Sequence, residues 1–271
     1  MPRLRDAIAA LLAVCPAALL AQAGRDPHAV QPERPTVATH AYTVAPGYFE
    51  LESGVEADRF RDHSHAFGVP TNLKLGLTGH AQLNVLAPLV RRDGAPLGVG
   101  DVAVGVKWRL LDRHPVLGDF ALQPFVKLAT GSVASGRGTG TTDLTLLAIS
   151  SRTVGRVAVD LNASYTRRSG NGAAAPRSVT FWTASFGIPL AGKIACVLEY
   201  FGYPATSGPA GTRAYTAVLA GPTVLVRPWL GFDAGVIVPL AGGQSYALYA
   251  GGTWNAGRLW RPPGNTPPGI R

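Results

Sequence analysis

From Tyr48 almost to the C-terminus, apolar and polar side chains alternate in segments of roughly ten residues separated by turn residues. Phe67-Gly-Val-Pro-Thr-Asn-Leu-Lys-Leu-Gly-Leu-Thr78 shows the pattern: Phe67, Val69, Leu73, Leu75 and Leu77 share one face, and Asn72, Lys74 and Thr78 share the other. A period of two is strand spacing, because successive side chains of a strand point to opposite sides. The pattern predicts strands near 47–58, 66–78, 81–91, 98–111, 119–130, 143–151, 156–167, 177–189, 193–203, 213–227, 229–239 and 245–255. The faces of 177–189 and 213–227 are ambiguous. The expected fold is all-β, an antiparallel transmembrane β-barrel of about 12 strands.

The connections support this reading. With a periplasmic N-terminus, 59–65, 92–97, 131–142, 168–176, 204–212 and 240–244 become outer loops, rich in Gly, Ser, Pro, Arg and Asp. Opposite them lie shorter turns such as Gly79-His80, Leu190-Ala-Gly192 and Pro228; Leu111 to Gly118 is the long exception. Aromatic residues fall near the strand ends, where amphipathic rings favour membrane interfaces. Tyr48, Phe49, Trp108, Phe120, Trp229 and Trp254 lie at the periplasmic side. Phe67, Tyr165, Tyr200, Phe201, Tyr215 and Tyr246 lie at the outer side. A soluble barrel is the alternative, but such barrels use about eight strands.

Residues 1–23 read as a signal peptide, with Arg3 and Arg5 before an apolar stretch and Ala21-Gln22-Ala23 as the cleavage region. Residues 24–45 lack periodicity and read as an N-terminal linker or flexible arm. The barrel is assigned to 46–255, with Tyr246 to Trp254 as closing strand, and 256–271 forms a Pro-rich C-terminal tail. The expected location is the bacterial outer membrane, reached by export and by the barrel-assembly machinery, with outer-membrane lipid as the surroundings.

Charged residues make up 15% of the chain, against about 25% in soluble domains. That is too few to cover a soluble surface of this size, whereas a barrel faces lipid. The net charge is +9. The basic residues are scattered over loops and turns, with no basic helix and no recognisable nucleic-acid module; anionic lipid or an anionic lumen ligand is the better partner. The mature chain keeps one cysteine, Cys196, on an apolar face beside Ile194 and Leu198. It reads as a small apolar residue.

Polar residues opposite the apolar stripe should line the lumen. These are Glu50, Glu52, Glu56, Lys74, Gln82, Asn84, Asp101, Lys107, Arg109, Gln123, Lys127, Asp143, Asp160, Asn162, Glu199 and Asp233. Their mixed signs suit cross-strand ion pairs. Two readings stay open: they fill the interior by satisfying one another, or they line a solute pathway. Arg137, the charge of the loop 131–142, is the gating candidate; an inward fold would let it pair with Glu56 or Asp58.

Other constellations carry little. Glu50, Glu52 and Glu56 share a face without a partner arrangement for acid–base work. His63-Ser-His65 has metal-binding spacing, but two histidines alone make a weak site. Gly136-Arg-Gly-Thr-Gly140 lacks the lysine and helix of a phosphate loop. No catalytic residue, cofactor site or metal site is assigned, and no enzyme activity is expected.

Thr43-Val-Ala-Pro-Gly-Tyr-Phe-Glu-Leu-Glu-Ser-Gly54, Gly100-Asp-Val-Ala-Val-Gly-Val-Lys-Trp-Arg-Leu110, Val126-Lys-Leu-Ala-Thr-Gly131 and Val159-Asp-Leu-Asn-Ala-Ser-Tyr165 resemble a family of bacterial outer-membrane proteins. Its members are described as transporters associated with the phenol meta-cleavage degradation pathway. The resemblance covers nearly the whole mature chain. It implies an outer-membrane location and uptake of aromatic or other hydrophobic compounds, without catalytic residues. The expected function is a porin-like passive channel or uptake protein for small solutes. The alternative is a plugged structural or interaction barrel whose outer loops bind a partner.

Overall fold

The computed structural model describes residues 26–92, 94–170, 176–206 and 212–260. The expected signal peptide and residues 261–271 of the expected tail lie outside them. The described residues form strands and turns, with no helix.

Twelve antiparallel strands close into a barrel. β1 is Tyr48–Phe60. β2 has two pieces, His65–Val69 and Thr71–Gly76. β3 comprises Ala81–Leu86 and Leu89–Arg92, and β4 comprises Gly98–Val99 and Val102–His114. Eight unbroken strands follow: β5 Gly118–Leu128, β6 Asp143–Val154, β7 Val157–Arg168, β8 Ser178–Ala191, β9 Ile194–Tyr203, β10 Tyr215–Arg227, β11 Leu230–Ala241 and β12 Gln244–Arg258. Each strand pairs with its sequence neighbours. β12 also pairs with β1, from Tyr48↔Arg258 to Phe60↔Gln244. Closure leaves no strand edge to satisfy in lipid, which is the condition for spanning with strands.

Two differences from the expected strands have local causes. The first is that β2, β3 and β4 are interrupted at Pro70, at Ala87-Pro88 and at Gly100-Asp101, which lie side by side. Ala87 donates its N–H to Thr71 O (3.0 Å) and Gly100 to Pro88 O (2.9 Å). A proline has no N–H for the ladder, which favours the breaks at Pro70 and Pro88; Pro124, Pro189, Pro222 and Pro239 by contrast lie within unbroken strands. The second is that β4 continues to His114 and β12 to Arg258. The long turn expected at 111–118 is therefore only 115–117, and Ala256 to Arg258 belong to the wall rather than to a tail.

The wall separates two chemistries. Outward positions are apolar and exposed, among them Leu144, Leu146, Leu161, Val126, Val238 and Leu248. An apolar exterior of this extent belongs in a membrane. Trp108, Phe232 and Trp254 are exposed toward the short-turn end, and Tyr165, Tyr200 and Tyr246 toward the loop end. Phe201 and Tyr215, expected in the outer girdle, turn inward instead.

Candidate functional site

The lumen is occupied by the chain's own N-terminal segment. Residues 26–45, expected to be a linker or flexible arm, fold inside the barrel. Ala38, Ala41 and Val44 are almost wholly buried. The segment is not part of the sheet, so its N–H groups have no ladder partners, and a buried N–H must find an acceptor elsewhere. The lumen side chains supply those acceptors.

The path can be followed by its partners. At the short-turn end, Val30 N–H donates to Pro228 O (2.8 Å), and His28 Nε2 lies 2.9 Å from Asn255 O. Deeper in, Gln31 N–H donates to Glu50 (2.8 Å) and Glu33 N–H to Glu52 (2.6 Å), both on β1. Arg34 pairs with Asp233 of β11 at 3.2 Å. Gly54 and Gly251 leave room for its guanidinium: a Cβ on Gly54 would stand 2.6 Å from it and one on Gly251 2.7 Å. Val37 and Ala38 then donate to the two oxygens of Glu199 on β9, at 2.9 and 2.7 Å. Thr39 exchanges two bonds with Asn162 of β7. Ala41 donates to Ser151 of β6 (2.8 Å), Tyr42 Oη to Asp119 of β5 (3.0 Å), and Val44 to Gln82 of β3 (2.7 Å). The segment thus sweeps round the inner circumference from β12 back to β1.

Two buried lysines complete the seat. Lys74 of β2 lies 2.6 Å from Glu50 and 2.8 Å from Glu52, and it donates to Gln31 O at 2.5 Å. Lys107 of β4 pairs with Glu33 and donates to Thr39 Oγ1 (2.8 Å) and His40 O (2.7 Å). Asn72 and Gln82 also donate to Glu33. Burial opposes the Glu33 charge, but Lys107 and Lys74 outweigh it and hold its carboxyl below the usual range. Burial, reinforced by Lys107, pushes the His40 imidazole down to about 3, so this ring sits neutral.

The structure thus places Glu50, Glu52, Lys74, Gln82, Asn84, Lys107, Asn162, Glu199 and Asp233 inside, around this segment. Asn84 bridges Gln82 and Asn72. Gln123 is also buried. Asp160 accepts from Ser151 at 2.5 Å. Arg109 is apart, at the short-turn mouth with Asp112 (2.8 Å). Glu56 lies beyond the segment toward the loops; its neighbour across β1 is Gly68.

Asp101, Lys127 and Asp143 form a second group at the loop end. Lys127 lies 2.7 Å from Asp101 and 3.1 Å from Asp143, and Asp143 also pairs with Arg168 at 3.1 Å. This group holds the loop 131–142 inward. Asp101 accepts from Gly131 N (3.0 Å) and from Thr139 N (2.9 Å), and Thr141 donates to Asp143 at 2.7 Å. Arg137 packs on Gly98 of β4, where the pinned backbone carries it to the wall.

The alternation reading missed the apolar part of the lumen. Phe181, Val197, Phe201, Tyr215, Ala217, Leu219, Ile237, Ala247 and Tyr249 face inward from β8 to β12 and pack together. Phe201 stands 6.2 Å from Phe181 and 6.0 Å from Tyr215, and Tyr203 stacks on Tyr215 at 5.4 Å. The Tyr249 ring lies over Gly221 and Gly235, and its buried hydroxyl has no hydrogen-bond partner among the described residues. The sequence held one trace of this wall. The segments 177–189 and 213–227 look ambiguous because both of their faces are apolar.

The fold is similar to that of a COG4313 outer-membrane channel from Pseudomonas putida F1, at 12% identity with a TM-score of 0.60, covering 79% of this chain and 97% of that one. A weaker likeness joins it to the β domain of the Bordetella autotransporter BrkA, at 11% identity with a TM-score of 0.40, covering 76% and 98%. No curated protein sequence matches the chain. A family model described as "Putative MetA-pathway of phenol degradation" matches residues 33–252, which takes in most of the inner segment and the barrel, and the chain belongs to that family.

Proposed function

We propose that this protein is an outer-membrane channel for small apolar or aromatic solutes, and that residues 26–45 close it in the state described here. The observation that carries the reading is the division of the lumen. Toward the loops its wall is aromatic and aliphatic from β8 to β12. Toward the short turns it is shut by a segment held mainly through side chain–backbone hydrogen bonds. Apolar walls favour apolar solutes by removing their surface from water. Hydrogen bonds of this kind can be exchanged for bonds to water, so their net strength is about 1 kcal/mol each, rising to about 1.5–3 kcal/mol where a carboxylate accepts. A segment seated this way is displaceable, unlike a strand.

The test is single-channel recording in planar bilayers, comparing the mature chain with one lacking residues 26–44. The deletion should convert rare, small openings into a steady conductance and speed the entry of a neutral aromatic solute into liposomes. A second reading has its own support: the seat includes the fully buried Lys74–Glu50 pair and a Lys107–Glu33 pair whose cation is fully buried, as a permanent plug would. If the deleted chain folds and neither conducts nor admits solute, the barrel is a structural or interaction protein.

A further inference from the structure

We propose that the rim of β1, β2 and β3 at the loop end binds the phosphate groups of an outer-leaflet lipid, through Arg59 and Arg91. The inference extends the proposed outer-membrane placement, on which it rests, to a binding site on the outside of the wall.

The first observation is where the charges point. The chain carries +9, yet Glu50, Glu52, Asp101, Asp143, Glu199 and Asp233 all lie inside the barrel with buried side chains. Together with Glu33 and Asp160 these acids outnumber the cations paired with them inside, Arg34, Lys74, Lys107, Lys127 and Arg168, so the outer surface is more basic than the net charge suggests. The second observation is register. Glu56 and Asp58 face inward on β1, so Ala57 and Arg59 face outward. Phe67 lies opposite Ala57, and Arg91 lies opposite Phe67. Arg59 stands opposite His65 on one side and Tyr246 on the other. These residues therefore form one outward patch across four adjacent strands.

The third observation is the local geometry. Arg91 is exposed and sits 5.4 Å over the Phe67 ring. Stacking fixes the plane of a guanidinium while leaving its N–H groups free to donate. Arg59 reaches His63 Nδ1 at 3.4 Å, which holds it at the hairpin tip. The acid at that tip, Asp62, is engaged by Ser64, whose N–H and hydroxyl lie 3.0 and 2.7 Å from it. Those bonds hold the Asp62 carboxyl below its usual range. Just below the cations the wall offers exposed Val55 and Leu248 to acyl chains, with exposed Tyr246 at the boundary. A phosphorylated headgroup above and hydrocarbon below match this surface. Guanidinium forks bind phosphate oxygens in pairs.

The test uses the purified full-length mature chain in detergent micelles, with lipid A as the probe and native mass spectrometry as the readout, so it does not depend on conduction. The wild type should retain bis-phosphorylated lipid A. The double variant Arg59→Gln/Arg91→Gln should lose affinity on the order of tenfold or more. Arg152→Gln/Arg156→Gln removes the same charge from the opposite rim and should bind as the wild type does. Heat-modifiable migration in gels establishes that both variants are folded. Equal losses in the two variants would reduce the site to bulk charge and overturn the proposal. So would undiminished binding of dephosphorylated lipid A, or displacement by inorganic phosphate at millimolar concentration, which would mark an ion site instead.

Discussion

Arg34 and Asp233 meet at 3.2 Å inside the barrel, one on the N-terminal segment and the other on β11, although 199 positions separate them in the chain. The pair is nearly shielded from water, with side-chain exposures of 14% and 5%. It is the point where the segment turns from the β12–β1 side of the lumen toward β9.

Arg34→Ala leaves Asp233 buried without its cation. Losing one partner of a buried pair costs ~3 kcal/mol or more, and here the cost falls on the docked segment, since the strands keep their ladders. The open fraction in planar bilayers should rise at least tenfold, with unchanged heat-modifiable migration. Asp233→Asn should give a smaller rise, because the amide oxygen still accepts from Arg34. An unaltered open fraction in both would remove this pair from the closing mechanism.

Glu199 takes two backbone N–H groups at once, from Val37 and Ala38. Glu199→Ala strands both donors in the lumen, at a cost of about 1–3 kcal/mol each. Hydrogen exchange of those two amides should accelerate by at least an order of magnitude, while amides within β9 keep their protection. Glu199→Gln retains one acceptor and should fall between.

Acid should open the channel. His40 is neutral when the segment is docked, with its pKa lowered to about 3 from an ordinary 6.5. The released segment therefore binds a proton more readily than the docked one. Docking is at full strength above pH 6.5 and weakens as pH falls from 6.5 toward 3, by about 1.4 kcal/mol per unit. Glu33, whose carboxyl is held below 4.5, adds a loss of the same sign below that pH. Conductance should climb between pH 6.5 and 4.5, and His40→Gln should flatten that part of the curve. An identical profile in the variant would assign the titration to other groups.

The loop 131–142 should respond to Asp101 more than to Arg137. Asp101 holds Gly131, Thr139 and Lys127, whereas Arg137 packs on Gly98. Asp101→Ala should free the loop and shorten the access time of solutes from the outer side. Arg137→Ala should change it less than twofold, because the bonds that pin the loop run through Asp101 and Asp143 rather than through the Arg137 side chain. A larger effect from Arg137→Ala in the same uptake assay would show that the loop gates through its cation.

The sequence by itself determined the wall. A period of two, tight turns and an apolar stripe leave few alternatives once both strand faces must differ, and for that reason the antiparallel barrel, its twelve strands and its closing strand near Tyr246 to Trp254 were legible. It also put Glu50, Lys74, Lys107 and Glu199 on the inner face, because alternation sorts residues by side. Only the tertiary structure decided what those residues do. Residues 26–45 have no period, since a segment that takes its hydrogen bonds one by one from Glu50, Glu52, Glu199, Asn162, Ser151 and Gln82 needs none. The contacts span intervals from 19 to 162 residues along the chain, so no local pattern records them. The aromatic wall was hidden for the opposite reason. Phe181, Phe201 and Tyr215 lie on strands apolar on both faces, where alternation loses its contrast and closure of the barrel alone sets which side is in.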